Sequence, residues 1–472
     1  MSDDARPESP ALPLSAEQLA LLLTSFQKVA DAAQAQSQEQ DFVGERVMSR
    51  VVEHLGVDPR GLPVVTEIIP PLRAVDADVA LAHVIEEHGG GVLVGLSGGE
   101  QRWHMSLVEM FQNNRWNPFS IGAVDYRKET TGPDSERDVV ALGLHLFHVD
   151  GVPVAVMQRG VNPQYGAEAK LEVVSPDPGT TRVLLEHVRD AMDRFWVLRG
   201  QVVQFSSSPF EQGSGGVTFL PRPAVPADSI VLPDGLLDRV RRHVIGIGER
   251  AEELRGLGQH LKRGVLLYGP PGTGKTLTVR HLIGESTATV IILTGPALAA
   301  VGLAARTARA LAPAIVVLED CDLVAEERNP QTSSPLLFEV LDSLDGLDAD
   351  ADVTFLLTTN RADVLEPALA QRPGRVDLAV EIPLPDEPAR RALLDVYARR
   401  LPLSAAVLDE VAREASGTTA SFAKELVRRA VLDAAEAGRD VNDDDLRSAL
   451  AEMTSEAASI GRSILGGADE GR

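Results

Sequence analysis

The amino-acid sequence predicts an α/β fold: a parallel sheet flanked by helices, completed by a C-terminal helical lid and preceded by a separate α+β domain. Three observations carry that prediction. From residue 229 onward, short apolar runs alternate with helical stretches, and near-continuous apolar strands separated by helices mean a parallel sheet covered on both faces. The segment Gly269-Pro-Pro-Gly-Thr-Gly-Lys-Thr276 has the spacing of a phosphate-cradling loop, or P-loop, set between a strand and a helix. Ser206 to Asp228, rich in Ser, Gly and Pro, reads as a linker between this region and an earlier one of different pattern.

Taken in order, residues 1–14 are polar and Pro-rich and are expected to be a disordered tail. Ser15 to Leu55 reads as helical, with Ser15 and Gln18 spaced as a capping box. Residues 15–205 form the expected α+β domain. Its strands are Gly91–Gly95, Val139–Phe147 and Val152–Met157, and a helix runs from Thr181 to Leu198. After the linker 206–228, residues 229–385 form the α/β domain, with strands expected at 264–268, 289–293, 315–318, 353–357 and 378–382. Residues 386–455 form the lid, opened by Asp386 as a candidate cap, and 456–472 a flexible tail.

Composition narrows the function. A net charge of −24 argues against a surface that coats nucleic acid. No apolar run approaches the ~18–20 residues that span a bilayer; the nearest, Thr294 to Leu318, is interrupted by Arg306 and Arg309. The single cysteine, Cys321, cannot form an internal disulfide, so a reducing, cytoplasmic setting is expected. Only six lysines stand among 45 basic residues, a bias that suggests a GC-rich bacterial genome.

The loop carries the clearest chemistry. Gly269, Gly272 and Gly274, with Pro270, Pro271 and Thr273 between them, let backbone N–H groups turn inward onto phosphate oxygens. The helix that follows, including Leu277, adds its positive end. Lys275 is expected to reach the β- and γ-phosphates, and the Thr276 hydroxyl to ligate Mg²⁺. The expected ligands are therefore ATP and Mg²⁺.

Further motifs make residues 229–455 resemble an AAA-family ATPase module. Ala312-Pro-Ala-Ile-Val-Val-Leu-Glu-Asp-Cys-Asp322 resembles the Walker B strand, which implies Glu319 at the metal and Asp320 at the attacking water. Thr358-Thr-Asn360 stands where the family places a sensor asparagine beside the γ-phosphate. Ala370-Gln-Arg372-Pro-Gly-Arg375-Val-Asp377 resembles the region whose arginines reach a neighbouring subunit's ATP, which implies a homo-oligomer, a hexamer in the family. Ile245 and Gly246 stand where the family packs adenine, and Gly417 where a lid glycine approaches the nucleotide; both also fit ordinary turn or packing positions. Two departures stand out. The family's Asp-Glu order is reversed here, as in some relatives among inner-membrane translocases. The stretch Thr294 to Gly302 also has Ala300 where threading members carry an aromatic.

Other signals lead elsewhere. Leu96-Ser-Gly-Gly-Glu-Gln-Arg102 resembles the signature loop of ABC transporter ATPases but precedes the phosphate loop, so a Gly-Gly turn opening a helix at Gln101 to Phe111 is expected. No His-Glu-x-x-His occurs, which separates the chain from AAA proteins fused to a zinc protease. Trp103, Trp116 and Trp196 are expected in the N-terminal core rather than on a partner-binding surface. The leading expectation is an oligomeric ATPase that remodels a protein client held by the N-terminal domain. The alternative is a slow ATP-dependent switch or scaffold, and a nucleic-acid motor is disfavoured by charge.

Overall fold

The computed structural model describes residues 45–114, 119–161, 169–206, 216–321, 351–361 and 376–464, with 21, 24–26, 28 and 29. Ser15, Trp116, Arg372 and Arg375 lie outside them.

The N-terminal unit is built on an antiparallel sheet. Its strands are β1 (Val64–Ile69), β2 (Gly91–Leu96), β3 (Ile121–Gly122), β4 (Asp125–Gly132), β5 (Ser135–Val149), β6 (Val152–Arg159) and β7 (Ala169–Val174). They follow the order β1-β7-β6-β5-β2-β3, with β4 paired to β5. The long apolar run of β5 is buried on both faces because helices cover both. Leu142, Leu144 and Leu146 pack with Val51, Leu107 and Phe111, while Phe147 and Val149 pack with Leu81, Val84, Leu184 and Val188. The helix expected over Thr181–Leu198 spans Pro178–Arg194 and is capped by Asp177, whose carboxylate accepts from Thr180 N–H at 2.8 Å.

The Ser-Gly-Gly segment has a structural role among the described residues. Ser97 donates to the Ser120 carbonyl at 3.1 Å, and Arg102 pairs with Asp125 at 2.9 Å. The helix expected from Gln101 to Phe111 is broken in two, Gln101–His104 and Leu107–Gln112. Ser106 and Glu109 form a capping box that starts the second piece. Beneath the break lies a buried ion pair, Arg159 with Glu172 at 3.1 Å. Arg159 donates to the carbonyls of Arg102, Trp103 and Met105, and Glu172 accepts from Leu107 N–H. These bonds satisfy backbone groups that an unbroken helix would have paired internally.

The second sheet has the order β14-β10-β13-β12-β11-β8-β9. Its parallel core is β10 (Arg263–Tyr268), β11 (Thr289–Thr294), β12 (Ala314–Glu319), β13 (Val353–Thr359) and β14 (Leu378–Glu381), matching the five expected runs. The expected boundary at 205/206 is crossed by structure. β8 (Val202–Phe205) pairs parallel to β11, and β9 (Val217–Leu220) returns antiparallel to β8, so a hairpin extends the sheet where a linker was expected. Trp196, Leu198, Phe205, Val217 and Phe219 all enter the core of this sheet, so Trp196 belongs here and not to the N-terminal core. Each apolar run is only four residues long and flanked by Gly and Ser, so composition averages it away.

The lid consists of helices Glu387–Ala398, Ala405–Glu414, Ala420–Glu436 and Asp443–Ile464 around one apolar cluster. Asp386 caps the first of these through Ala389 N–H at 2.9 Å. Among the described residues, no helix is long and apolar enough to cross a membrane.

Candidate nucleotide-binding site

Parallel strands deliver their carboxyl ends to one rim of the sheet, where ligands bind in this architecture. Strand β10 runs into Gly269, and the helix Lys275–Glu285 starts immediately after Gly274. Gly272 has a φ of +77°, a region L-residues rarely enter. A Cβ there would stand 3.0 Å from the Ser421 hydroxyl and 3.1 Å from that of Thr419. The lid is seated directly on the loop: Ser421 N–H donates to the Gly272 carbonyl at 3.0 Å. Lys275 is buried, and its Nζ donates to the carbonyls of Gly269 and Pro270, both at 2.8 Å. The Thr273 hydroxyl closes the turn onto the Pro270 carbonyl at 2.9 Å.

The acids arrive from the next strands. Glu319 ends β12, and its carboxylate takes a hydrogen bond from Thr276 at the start of the loop helix. Burial pushes the Glu319 carboxyl above the usual carboxylate range and the neighbouring Asp320 pushes it the same way, while Arg280 and the Thr276 bond oppose them. A hydroxyl beside a half-buried carboxylate with raised proton affinity is a donor set that suits a hard divalent cation such as Mg²⁺. Asp320 has left-handed backbone, φ +51°. Thr358 holds that turn by accepting Asp320 N–H at 3.1 Å on its hydroxyl and Cys321 N–H at 3.0 Å on its carbonyl. Asn360, just past β13, donates to the Asp320 carboxylate at 3.4 Å.

Lys275, Thr276, Asp320 and Asn360 line one cleft of about 440 Å³, a size that suits a small-molecule ligand. The rest of its lining is Pro271 to Gly274 and Leu277 of the loop, Ser229 to Leu232, and Leu393, Tyr397, Ala420, Ser421 and Lys424. The loop groups and the acid thus share one cleft with an apolar run, Ile230 to Leu232.

Three expected residues stand elsewhere. Ile245 and Gly246 end a π-helical turn, Arg242–Gly246, whose His243 and Val244 carbonyls accept from Arg263. Ile245 lines a separate hollow with Arg263 and Asp352, beside the amino ends of the strands. The helix Leu236–Arg241 carries the chain away from the cleft before Ile245 is reached. The apolar wall comes instead from Ile230-Val-Leu232, a short run whose only sequence signal was its place between prolines and the next helix. Gly417 occupies a left-handed turn, φ +77°, and the lid residues on the cleft wall are Ala420, Ser421 and Lys424.

Comparison with known proteins agrees with this geometry. Residues 265–384 match the model of the ATPase family associated with various cellular activities, AAA. The chain is 39% identical over 214 residues to "ATP-dependent zinc metalloprotease FtsH 2" of Sphaerobacter thermophilus, covering 42% of this chain and 33% of that protein. It is 34% identical over 334 residues to "ATP-dependent zinc metalloprotease FtsH 1" of Symbiobacterium thermophilum, covering 64% and 53%. With the proteasome-activating nucleotidase of Methanocaldococcus jannaschii it shares 35% identity over 208 residues, covering 40% and 48%. The chain spans only a third to a half or so of the length of these relatives. The matched residues contain the loop, both acids and Asn360, and residues 265–384 are an AAA-family ATPase domain.

Proposed function

We propose that the protein is a Mg²⁺-dependent ATPase that works as a homo-oligomer, a hexamer by family resemblance, and remodels a protein client recruited by its N-terminal unit. The observation that carries this reading is the convergence of Lys275, Thr276, Asp320 and Asn360 on one cleft, with Glu319 hydrogen-bonded to Thr276. In this reading the loop N–H groups and Lys275 Nζ hold the phosphates, exchanging the Gly269 and Pro270 carbonyls for phosphate oxygens. Thr276 and Glu319 would hold Mg²⁺, which when bound would supply charge stabilisation to the transferred phosphoryl group. The Asp320 carboxylate orients the attacking water and takes its proton, and Asn360 steadies Asp320 through the 3.4 Å bond. Arg372 and Arg375 complete the site of the adjacent subunit, so turnover depends on assembly. The lone cysteine Cys321 suits a cytoplasmic protein.

A second reading, a slow nucleotide-governed switch, draws on one local feature. The stretch Gly295–Ala300 is a 3₁₀ turn with Ala297 and Leu298 buried, and Ala300 packs on the sheet core. Such a turn offers little side chain with which to grip an extended polypeptide. Steady-state ATP turnover with native mass measurement separates the readings. Assembly in ATP with fast, client-stimulated turnover supports remodelling, and assembly with turnover of minutes supports the switch. A monomer without turnover in saturating Mg²⁺-ATP rules out both.

A further inference from the structure

The segment between β9 and Ser229, expected as linker, lies along the helix that the phosphate loop opens. Arg222 reaches the far end of that helix and donates to the carbonyls of Ile283 at 2.7 Å and Ser286 at 2.5 Å. Its other nitrogen donates to the carbonyls of Gly200 and Ala288, each at 2.9 Å. Carbonyls at a helix C-terminus lack intrahelical partners, and a cation there is favoured by the helix dipole. Further along, the buried His281 donates from Nδ1 to the Val225 carbonyl at 2.8 Å. Between these ties Gly284 lets the two backbones touch: a Cβ there would stand 2.3 Å from the Pro223 carbonyl oxygen. Glycine is unfavourable inside a helix, and this close approach accounts for it.

The segment then delivers the apolar wall of the cleft. Asp228 pairs with Arg399 of the lid at 3.1 Å. Val231 packs against the lid cluster and Leu232 against the sheet cluster. Ser229 to Leu232 line the same cleft as the loop. Nothing in Arg222, His281 or Gly284 touches that cleft, yet together they fix the chain that leads into it.

We propose that Pro221–Pro226 is a positioning strap: its ties to the loop helix through Arg222, His281 and Gly284 set where Ile230 to Leu232 stand and so tune recognition of the nucleoside part of the ligand. The inference rests on the nucleotide-binding reading above and adds residues outside the cleft to it. A loosened strap displaces the apolar wall but leaves the phosphate loop intact, so loss of affinity falls on the nucleoside and not on the polyphosphate. Gly284→Ala and Arg222→Ala, each in the full chain, are the test, with Kd for ATP and for inorganic tripolyphosphate measured by calorimetry in Mg²⁺. The expected result is about tenfold weaker ATP binding, with tripolyphosphate unchanged within about twofold. Equal losses for both ligands, or no loss for either, in the folded variants would overturn the strap. If Gly284→Ala does not fold, Arg222→Ala decides alone, since it introduces no clash. Wild-type protein that binds neither ligand would overturn the nucleotide reading itself, a separate failure.

Discussion

Asp320 shows how much one residue's setting decides. Its left-handed backbone is unusual for a non-glycine residue, and among such residues Asn and Asp tolerate it best. Asp320→Asn therefore keeps the turn, the Thr358 bonds and the cleft while removing the carboxylate proposed as the base. ATP affinity is expected to stay within about twofold, with turnover falling by roughly 10²-fold or more. Parallel binding and phosphate-release measurements check this; unchanged turnover would show that Asp320 is not the base. Lys424 makes a milder prediction. It is exposed on the cleft wall of the lid, one helical turn from Ser421. Lys424→Ala is expected to weaken ATP binding by about 1 kcal/mol, roughly fivefold, and to reduce its salt dependence, as an exposed charge facing phosphates would. Equal affinities at low and high salt in both proteins would remove Lys424 from the site.

At the scale of elements, the lid helix Ala420–Glu436 matters because its first turn rests on the loop. Thr419 caps it, its hydroxyl accepting Phe422 N–H at 3.2 Å, next to the Ser421–Gly272 bond. Thr419→Ala is expected to cost about 1 kcal/mol of lid stability. The loss should register as faster amide exchange over 420–424 without a change in the phosphate-loop helix. Exchange rising equally in both helices would mean that lid and loop open as one unit. The edge hairpin β8–β9 illustrates the same scale from another side: the sheet recruits two strands that no periodicity marked, because an exposed edge of parallel sheet is satisfied by any chain that reaches it.

At the scale of the molecule, the two units meet around Asp76, which is fully buried. It accepts from Val197 N–H at 2.9 Å and pairs with Arg73 at 2.6 Å. The Arg73 guanidinium lies 3.8 Å from the Trp196 ring centre and also pairs with Asp193. Burial pushes the Asp76 carboxyl up to about 6, against the pull of the Val197 N–H and Arg73. A carboxyl raised in the folded state binds its proton more tightly there than when unfolded. Its contribution is thus fully present below the unfolded value of about 4 and lost as pH rises through about 6. Relative to Asp76→Asn, the native protein is expected to lose up to about 3 kcal/mol between those pH values, a bound set by the size of the shift. Denaturant melts of both proteins across that range measure the difference; parallel curves would show that Asp76 does not titrate there.

The sequence by itself determined the five parallel strands, the phosphate loop, the lid and its Asp386 cap. Each is a local pattern whose physical cause, an apolar run, a glycine spacing or a capping carboxylate, sits within a few adjacent residues. Glu319, Asp320 and Asn360 were legible for a related reason: they stand at strand ends, and parallel strands bring all such ends to one rim. Only the tertiary structure decided the rest. The apolar wall passed from Ile245 and Gly246 to Ile230–Leu232 because a π-helical turn and the Arg263 bonds hold the former against the amino ends of the strands. The presumed linker became edge hairpin and strap because its partners, β11 and the loop helix, lie about 60 to 90 residues further along the chain. Short, Gly- and Pro-rich segments have little propensity of their own, and what they form is set by the surface they meet.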